Sequence, residues 1–196
     1  QKMYPRYEWF KQVVDVFRET GESVPVFCDK HLSYEWHKAR WMYDQARQLG
    51  FPFMAGSVLP LARDPAQLLP LNTPLEKAVL RWEATFFDNK DSYGFHAVER
   101  LQSMVERREG GETGIAAVQC LEGEAVWEWV AGQAWAARLL EALGAAPGAR
   151  PVREAVRDPM VFLFQYNGGL ETAIFRLNGY RTPAGFAGLR RGSSDP

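Results

Sequence analysis

The sequence predicts an α/β plus α+β chain. A parallel strand–helix–strand layer covers residues 1–58, a linker covers 59–74, and a mainly antiparallel sheet with helices on one face covers 75–196. Three observations predict it. Two short apolar runs, Val24 to Cys28 and Phe51 to Ala55, flank a stretch with helical spacing. From Leu59 to Pro74 the chain becomes rich in Pro and Leu, with a period of neither 2 nor 3.6. Near the end, Asn167-Gly168-Gly169 separates two apolar runs, which is a hairpin signal.

The elements follow in order. Trp9, Phe10, Val13, Val14 and Phe17 recur at helical spacing, and Gly21 suits a stop. Val24-Pro25-Val26-Phe27-Cys28 reads as a buried strand with Pro25 near its start. Ser33 can cap a second helix whose stripe is Trp36, Ala39, Met42, Tyr43 and Ala46, ended by Gly50. Phe51 to Ala55 is the next strand, and Gly56-Ser57 its turn. Two strands joined through a helix make a right-handed parallel crossover.

In the second part, 78–86 alternates as a strand. Ala97, Leu101, Met104 and Val105 form a helical face broken by Gly110-Gly111, and Ile115 to Leu121 is a strand. Trp135, Leu139, Leu140 and Leu143 form a further helix ending at Gly144, and a Gly/Ala/Pro loop runs to Pro151. Met160 to Tyr166 and Leu170 to Leu177 complete the hairpin, with Asn167-Gly168 expected to take the positive φ of a tight turn.

Composition narrows the function classes. With 196 residues, 46% hydrophobic content and a net charge of -1, the chain can build a sizeable core and carries no charge run that would draw nucleic acid or an acidic membrane. No apolar stretch approaches the roughly 18 residues of a membrane span. Cys28 and Cys120 both sit in apolar runs and read as buried thiols in a reducing, cytoplasmic compartment. The Arg190-Arg191 pair and the run Glu106-Arg107-Arg108-Glu109 read as solvated.

The first candidate for chemistry is Asp29-Lys30-His31, just past a strand and before a helix. Open α/β sheets bind ligands outside the carboxyl ends of their strands; an exposed turn is the plainer reading. Cys28, His31 and His37 fit no zinc spacing, so no metal site is expected. Trp127, Trp129 and Trp135 suit either a sugar-stacking platform or a core, the latter being commoner. Glu112 and Thr113 are open to a ligand role, and Arg63 suits either an acidic ligand group or a surface ion pair.

The run Val24-Pro25-Val26-Phe27-Cys28-Asp29-Lys30-His31-Leu32-Ser33 resembles the Glu-Lys-Pro segment of Gfo/Idh/MocA-type oxidoreductases, with Asp29 in place of Glu and His31 in place of Pro. Phe53-Met54-Ala55-Gly56-Ser57 is similar to that family's next strand and turn. Asp91-Ser92-Tyr93-Gly94-Phe95-His96-Ala97-Val98-Glu99 resembles its second-domain helix, which carries a histidine facing the active site. The similarity runs over nearly the whole chain and points to a bacterial branch of this class.

The resemblance implies the last part of a Rossmann-type parallel layer followed by a substrate and dimerisation domain. It implies an NAD(P)-dependent oxidoreductase of a sugar, polyol or related compound, and a homo-oligomer formed through the sheet domain. The implied catalytic residues are Lys30, which polarises the substrate oxygen; His96, which exchanges the proton; and Asp29, which orients Lys30. Lys30 and Gly56 would contact NAD or NADP, and His31, Arg63 and Tyr93 the substrate. A cofactor-retaining lyase or epimerase, or a non-catalytic dimerisation or sugar-binding module, are the alternatives. No Gly-x-Gly-x-x-Gly follows a strand near the N-terminus, so the main cofactor turn is expected to lie outside this sequence, making the chain an internal fragment.

Overall fold

Helical spacing of Phe10 and Val14, and of Met42 and Ala46, is enough to bury two helices against a small sheet, and the computed structural model has that arrangement in its first part. The structure describes residues 4–61, 68–82, 90–144, 151–180 and 185–193, with backbone only for 90–92. The chain divides into two units, Gln1–Val58 and Leu59–Pro196.

In the first unit α1 is Arg6–Thr20, β1 Val26–Asp29, α2 Trp36–Leu49 and β2 Phe53–Gly56. Gly21 and Gly50 end the helices in the left-handed conformation that glycine adopts without cost, both at φ 71°. β1 and β2 pair in parallel from Val26 opposite Phe53 to Asp29 opposite Gly56, the crossover expected. Phe10, Val14, Met42, Ala46 and Phe51 form the core, with Val26, Cys28 and Phe53 packed on it.

Three expectations need correction here. Among the described residues of this unit the helices cover one face of the strands, and Phe27 and Met54 on the other face are exposed. Trp9, Trp36 and Tyr43 lie off the buried helical faces, which consist instead of Phe10 and Val14 in α1 and of Met42, Gln45 and Ala46 in α2. Ser33 does not cap α2. Its Oγ accepts the Glu35 N–H at 3.2 Å, a local turn that places the chain for a helix starting at Trp36.

The second unit holds β3 (Leu75–Trp82), α3 (Lys90–Val105), β4 (Ile115–Glu122), α4 (Glu124–Gly132), α5 (Ala134–Gly144), the short α6 (Val152–Ala155), β5 (Met160–Tyr166), β6 (Glu171–Arg176) and β7 (Gly185–Arg190). The five-stranded sheet runs β4-β5-β6-β3-β7. It is antiparallel except where β3 lies parallel to β6. β3 begins at Leu75, earlier in the chain than the alternation suggested, and 83–86 fall outside the described residues.

The fold class stands, and helices occupy two faces of this sheet rather than one. α3 places Ala97, Leu101 and Val105 on the face carrying Ala78, Leu80 and Ile174. α4 and α5 place Val126, Leu139 and Leu140 on the opposite face, against Val79, Val161, Ala173 and Phe175. Each fully buried Leu or Phe side chain contributes roughly 2 kcal/mol of apolar transfer energy. β7 lay in a stretch whose glycines hid it. At Gly188 a Cβ would lie 2.6 Å from Leu75 Cδ1, and at Gly185 2.8 Å from Leu143 Cδ2, so the missing side chains let this edge strand approach the core.

The hairpin joins β5 and β6 antiparallel. Its turn differs from the expectation: Gly169, at φ 86°, takes the left-handed conformation, while Asn167 and Gly168 do not. Gly169 N–H donates to the Tyr166 carbonyl at 2.9 Å, as in a three-residue loop ending in a left-handed residue.

Arg108 corrects the reading of a solvated helix end: its residue is 4% exposed. Its guanidinium donates to the Val105 carbonyl at 2.8 Å and to Thr113 Oγ1 at 2.9 Å, and lies 4.7 Å from the centre of the Tyr166 ring. Thr113 in turn receives the Gly168 N–H at 3.1 Å, and its carbonyl receives the Asn167 amide at 2.9 Å. Glu112 receives the Gly114 N–H at 2.6 Å and lies 4.0 Å from Arg108. The thiols also differ from expectation, since Cys120 is exposed and Cys28 only half-buried. Among the described residues no helix is long and apolar enough to cross a membrane.

Two predictions follow from this network. Arg108→Met should destabilise the second unit by about 2–4 kcal/mol, because it strands buried polar partners, whereas the exposed Arg191→Met should change it by less than about 0.5 kcal/mol; urea midpoints at constant m-value check both. Burial pushes the Tyr166 phenol from 10 up to about 12, with the Glu112 carboxylate acting in the same sense. The folded state therefore keeps its proton while the unfolded chain ionises. Stability present below pH 10 should be lost as pH rises towards 12, by about 2–3 kcal/mol, and Tyr166→Phe should flatten that limb in alkaline unfolding titrations.

Candidate active site

The first cluster grows from the carboxyl ends of β1 and β2. Parallel strands end side by side there, and the chain must turn to enter α2. Lys30 makes the turn in the left-handed region at φ 69°, an uncommon conformation for a residue with a Cβ. Its N–H donates to the Gly56 carbonyl at 2.9 Å, and Gly56 itself sits at φ 139°. The two strand ends are thus tied to each other by the residues following the regular pairing.

The Lys30 ammonium donates to Asp29 Oδ2 at 2.7 Å, and its side chain is 29% exposed. Arg6 Nε donates to the Asp29 carbonyl at 3.0 Å, so α1 braces the same turn. The His31 ring meets Tyr34 edge-on with centroids 4.6 Å apart, and the His31 carbonyl receives the Cys28 thiol at 3.8 Å. Burial raises the Cys28 thiol above its ordinary value, so it remains protonated at neutral pH. His37 points elsewhere and lies 3.5 Å from Glu35 on the exposed start of α2.

The second cluster lies on α3, in the other unit. Tyr93, His96 and Glu99 are three residues apart and share one stripe of the helix. The His96 and Tyr93 rings are 6.2 Å apart in an edge-on contact, and the Phe95 ring lies at the same distance, tilted by 57°. His96 Nδ1 is 3.5 Å from Glu99 Oε2, with the two side chains 20% and 11% exposed. A carboxylate at Nδ1 favours the tautomer that leaves Nε2 for proton exchange. Glu99 was not singled out from sequence, although its spacing of three from His96 was the available signal.

The arrangement offers an ammonium oriented by a carboxylate at a strand-end crevice, and an imidazole oriented by a carboxylate on a helix. Lys30, Asp29, Gly56 and His31 are brought together in the first unit, and Tyr93 and His96 in the second. Arg63 lies outside the described residues. Among the described residues no three His, Cys, Asp or Glu side chains converge as a metal site would require.

No protein-family model matches this chain, and no curated protein matches it. Solved structures do. The chain is similar to an NAD binding oxidoreductase from Klebsiella pneumoniae at a TM-score of 0.55 and 12% identity, with 97% of this chain and 50% of that one covered. It is also similar to the UDP-N-acetylglucosamine 3-dehydrogenase GnnA from Acidithiobacillus ferrooxidans at a TM-score of 0.53 and 10% identity, with 97% of this chain and 53% of that one covered. At these identities the likeness is one of fold, and the chain spans only half, or slightly more, of each matched structure. With its parallel β1–β2 layer and its mixed five-stranded sheet, the chain has the fold of the corresponding part of these two solved oxidoreductases.

Proposed function

We propose that this chain forms part of an NAD(P)-dependent oxidoreductase acting on a sugar, polyol or related compound. The observation that carries the reading is Lys30, held in a strained left-handed turn at the carboxyl ends of two parallel strands with Asp29 at 2.7 Å. Backbone strain of this kind costs about 1–3 kcal/mol and is typically kept where a site needs it. The NAD-binding relative and the nucleotide-sugar dehydrogenase of similar fold support the cofactor and the substrate class.

The residues present suit the nicotinamide end of such a cofactor. Gly56, at φ 139°, presents backbone without a side chain beside the Lys30 backbone. When bound, the nicotinamide would supply hydride transfer with a substrate carbinol carbon. Lys30 would bind and polarise the substrate oxygen, Asp29 would hold Lys30 in place, and His96 would exchange the hydroxyl proton with Glu99 fixing its ring. His31, Arg63 and Tyr93 would contact the substrate. Ile115 and Val118, exposed on the edge strand β4, support self-association through the sheet unit.

In the enzyme that carries this chain, Lys30→Met should lower turnover by about 100-fold or more with little change in melting temperature, and His96→Asn should do the same. Glu99→Gln should cost less, about tenfold, because it acts through His96. Nicotinamide absorbance with a sugar or polyol panel checks all three. An unchanged rate in Lys30→Met would remove the catalytic role.

A further inference from the structure

The sheet face opposite α3 contains a cavity of about 430 Å3 that neither Lys30 nor His96 touches. Its floor follows from strand register. Gln119 lies opposite Leu163 and Ala117 opposite Gln165, while Gln165 lies opposite Glu171 and Glu171 opposite Lys77. These residues alternate with the core as Val161 does, so they share the face on which α4 and α5 pack. Those helices cover Val161 and Phe175 and stop short of Gln165 and Glu171.

The wall is the α4–α5 junction. Trp129 and Trp135 meet at 87° with centroids 5.8 Å apart, making an aromatic corner. The Trp135 indole N–H donates to Gln133 Oε1 at 3.2 Å, and Trp129 leans on buried Phe175 at 6.2 Å, so both rings are fixed. Lys77 Nζ lies 2.6 Å from Glu171 Oε2 and 5.6 Å from the Trp135 ring centre, so the carboxylate in the cavity lining is already paired.

We propose that this cavity is a second binding site, separate from the oxidoreductase site above, for a neutral polyhydroxylated ring compound such as a pyranoside. Three features select that chemistry. The volume falls within the usual range for small-molecule sites. Gln119 and Gln165 have side-chain amides with no hydrogen-bond partner among the described residues, and each amide both donates and accepts, as a hydroxyl does. The aromatic corner suits the apolar face of a sugar ring. A purely apolar ligand would desolvate these amides without replacing their bonds to water, and an anion would meet Glu171 with its partner cation already engaged.

Methyl β-D-glucopyranoside added to the 196-residue chain should give a saturable tryptophan fluorescence change, with a Kd of about 1–10 mM, and saturation-transfer NMR signals from its ring protons. Gln119→Ala/Gln165→Ala alters only exposed side chains and should weaken binding about tenfold at unchanged melting temperature. Trp135→Phe, read by NMR, should also weaken it. A linear, unsaturable response would overturn the proposal, as would equal binding by the double variant and the parent. Tighter binding of D-glucuronate than of the neutral glucoside would overturn the ligand class. A dimer in sedimentation velocity that the double variant dissolves would show that a second copy of the chain covers this face instead.

Discussion

A buried guanidinium organises the second unit. Arg108 cannot leave its charge unsolvated in an apolar interior, so the surrounding backbone must supply what water would have supplied. Val105, Thr113 and the face of Tyr166 do so, and each is tied to something else. Val105 ends α3, Thr113 receives the hairpin tip at Gly168, and the Tyr166 hydroxyl donates to Gln102 at 3.0 Å. Thr73 pairs with the same segment through its carbonyl, which accepts the Glu109 N–H at 2.8 Å. One charge thus joins the end of α3, the 108–114 turn, the β5–β6 hairpin and the entry to β3.

This junction also bears on α3. The helix that carries His96 is packed on the sheet by Ala97, Leu101 and Val105 and closed at its far end by Arg108. Tyr93, His96 and Glu99 occupy the stripe next to that packed face, so their rotation about the helix axis is set by the core. In the first unit the comparable constraint is the bond from Lys30 N–H to the Gly56 carbonyl. It holds two strand ends together and forces a residue with a side chain into a conformation that glycine would accept more readily.

Much of this was legible in the residues. Helical stripes ending at Gly21, Gly50 and Gly144, and two apolar runs around a hairpin signal, each express a local rule in which the chain's own period meets a turn residue. Lys30 and His96 stand out in the sequence for another reason, a resemblance in the order of short motifs. What was not legible shares one cause: it depends on partners distant in sequence. Glu106-Arg107-Arg108-Glu109 reads as solvent-exposed because nothing nearby reveals Tyr166, 58 positions on. β7 has glycines where a strand should have β-branched residues, and only Leu75 and Leu143 explain them.

Local sequence sets the periods and the stops, because these follow from backbone geometry over a few residues. Tertiary structure decided which face of each element is buried, and therefore that Trp9, Trp36 and Cys120 are not part of the core while Arg108 and Arg81 are buried. It also decided that Asp29 meets Lys30, that Glu99 meets His96, and that Gln119, Gln165 and Glu171 come together beneath Trp129 and Trp135. Register between strands and contact between a helix and a sheet are set by the total burial of the assembled unit, a quantity that no short stretch of sequence contains.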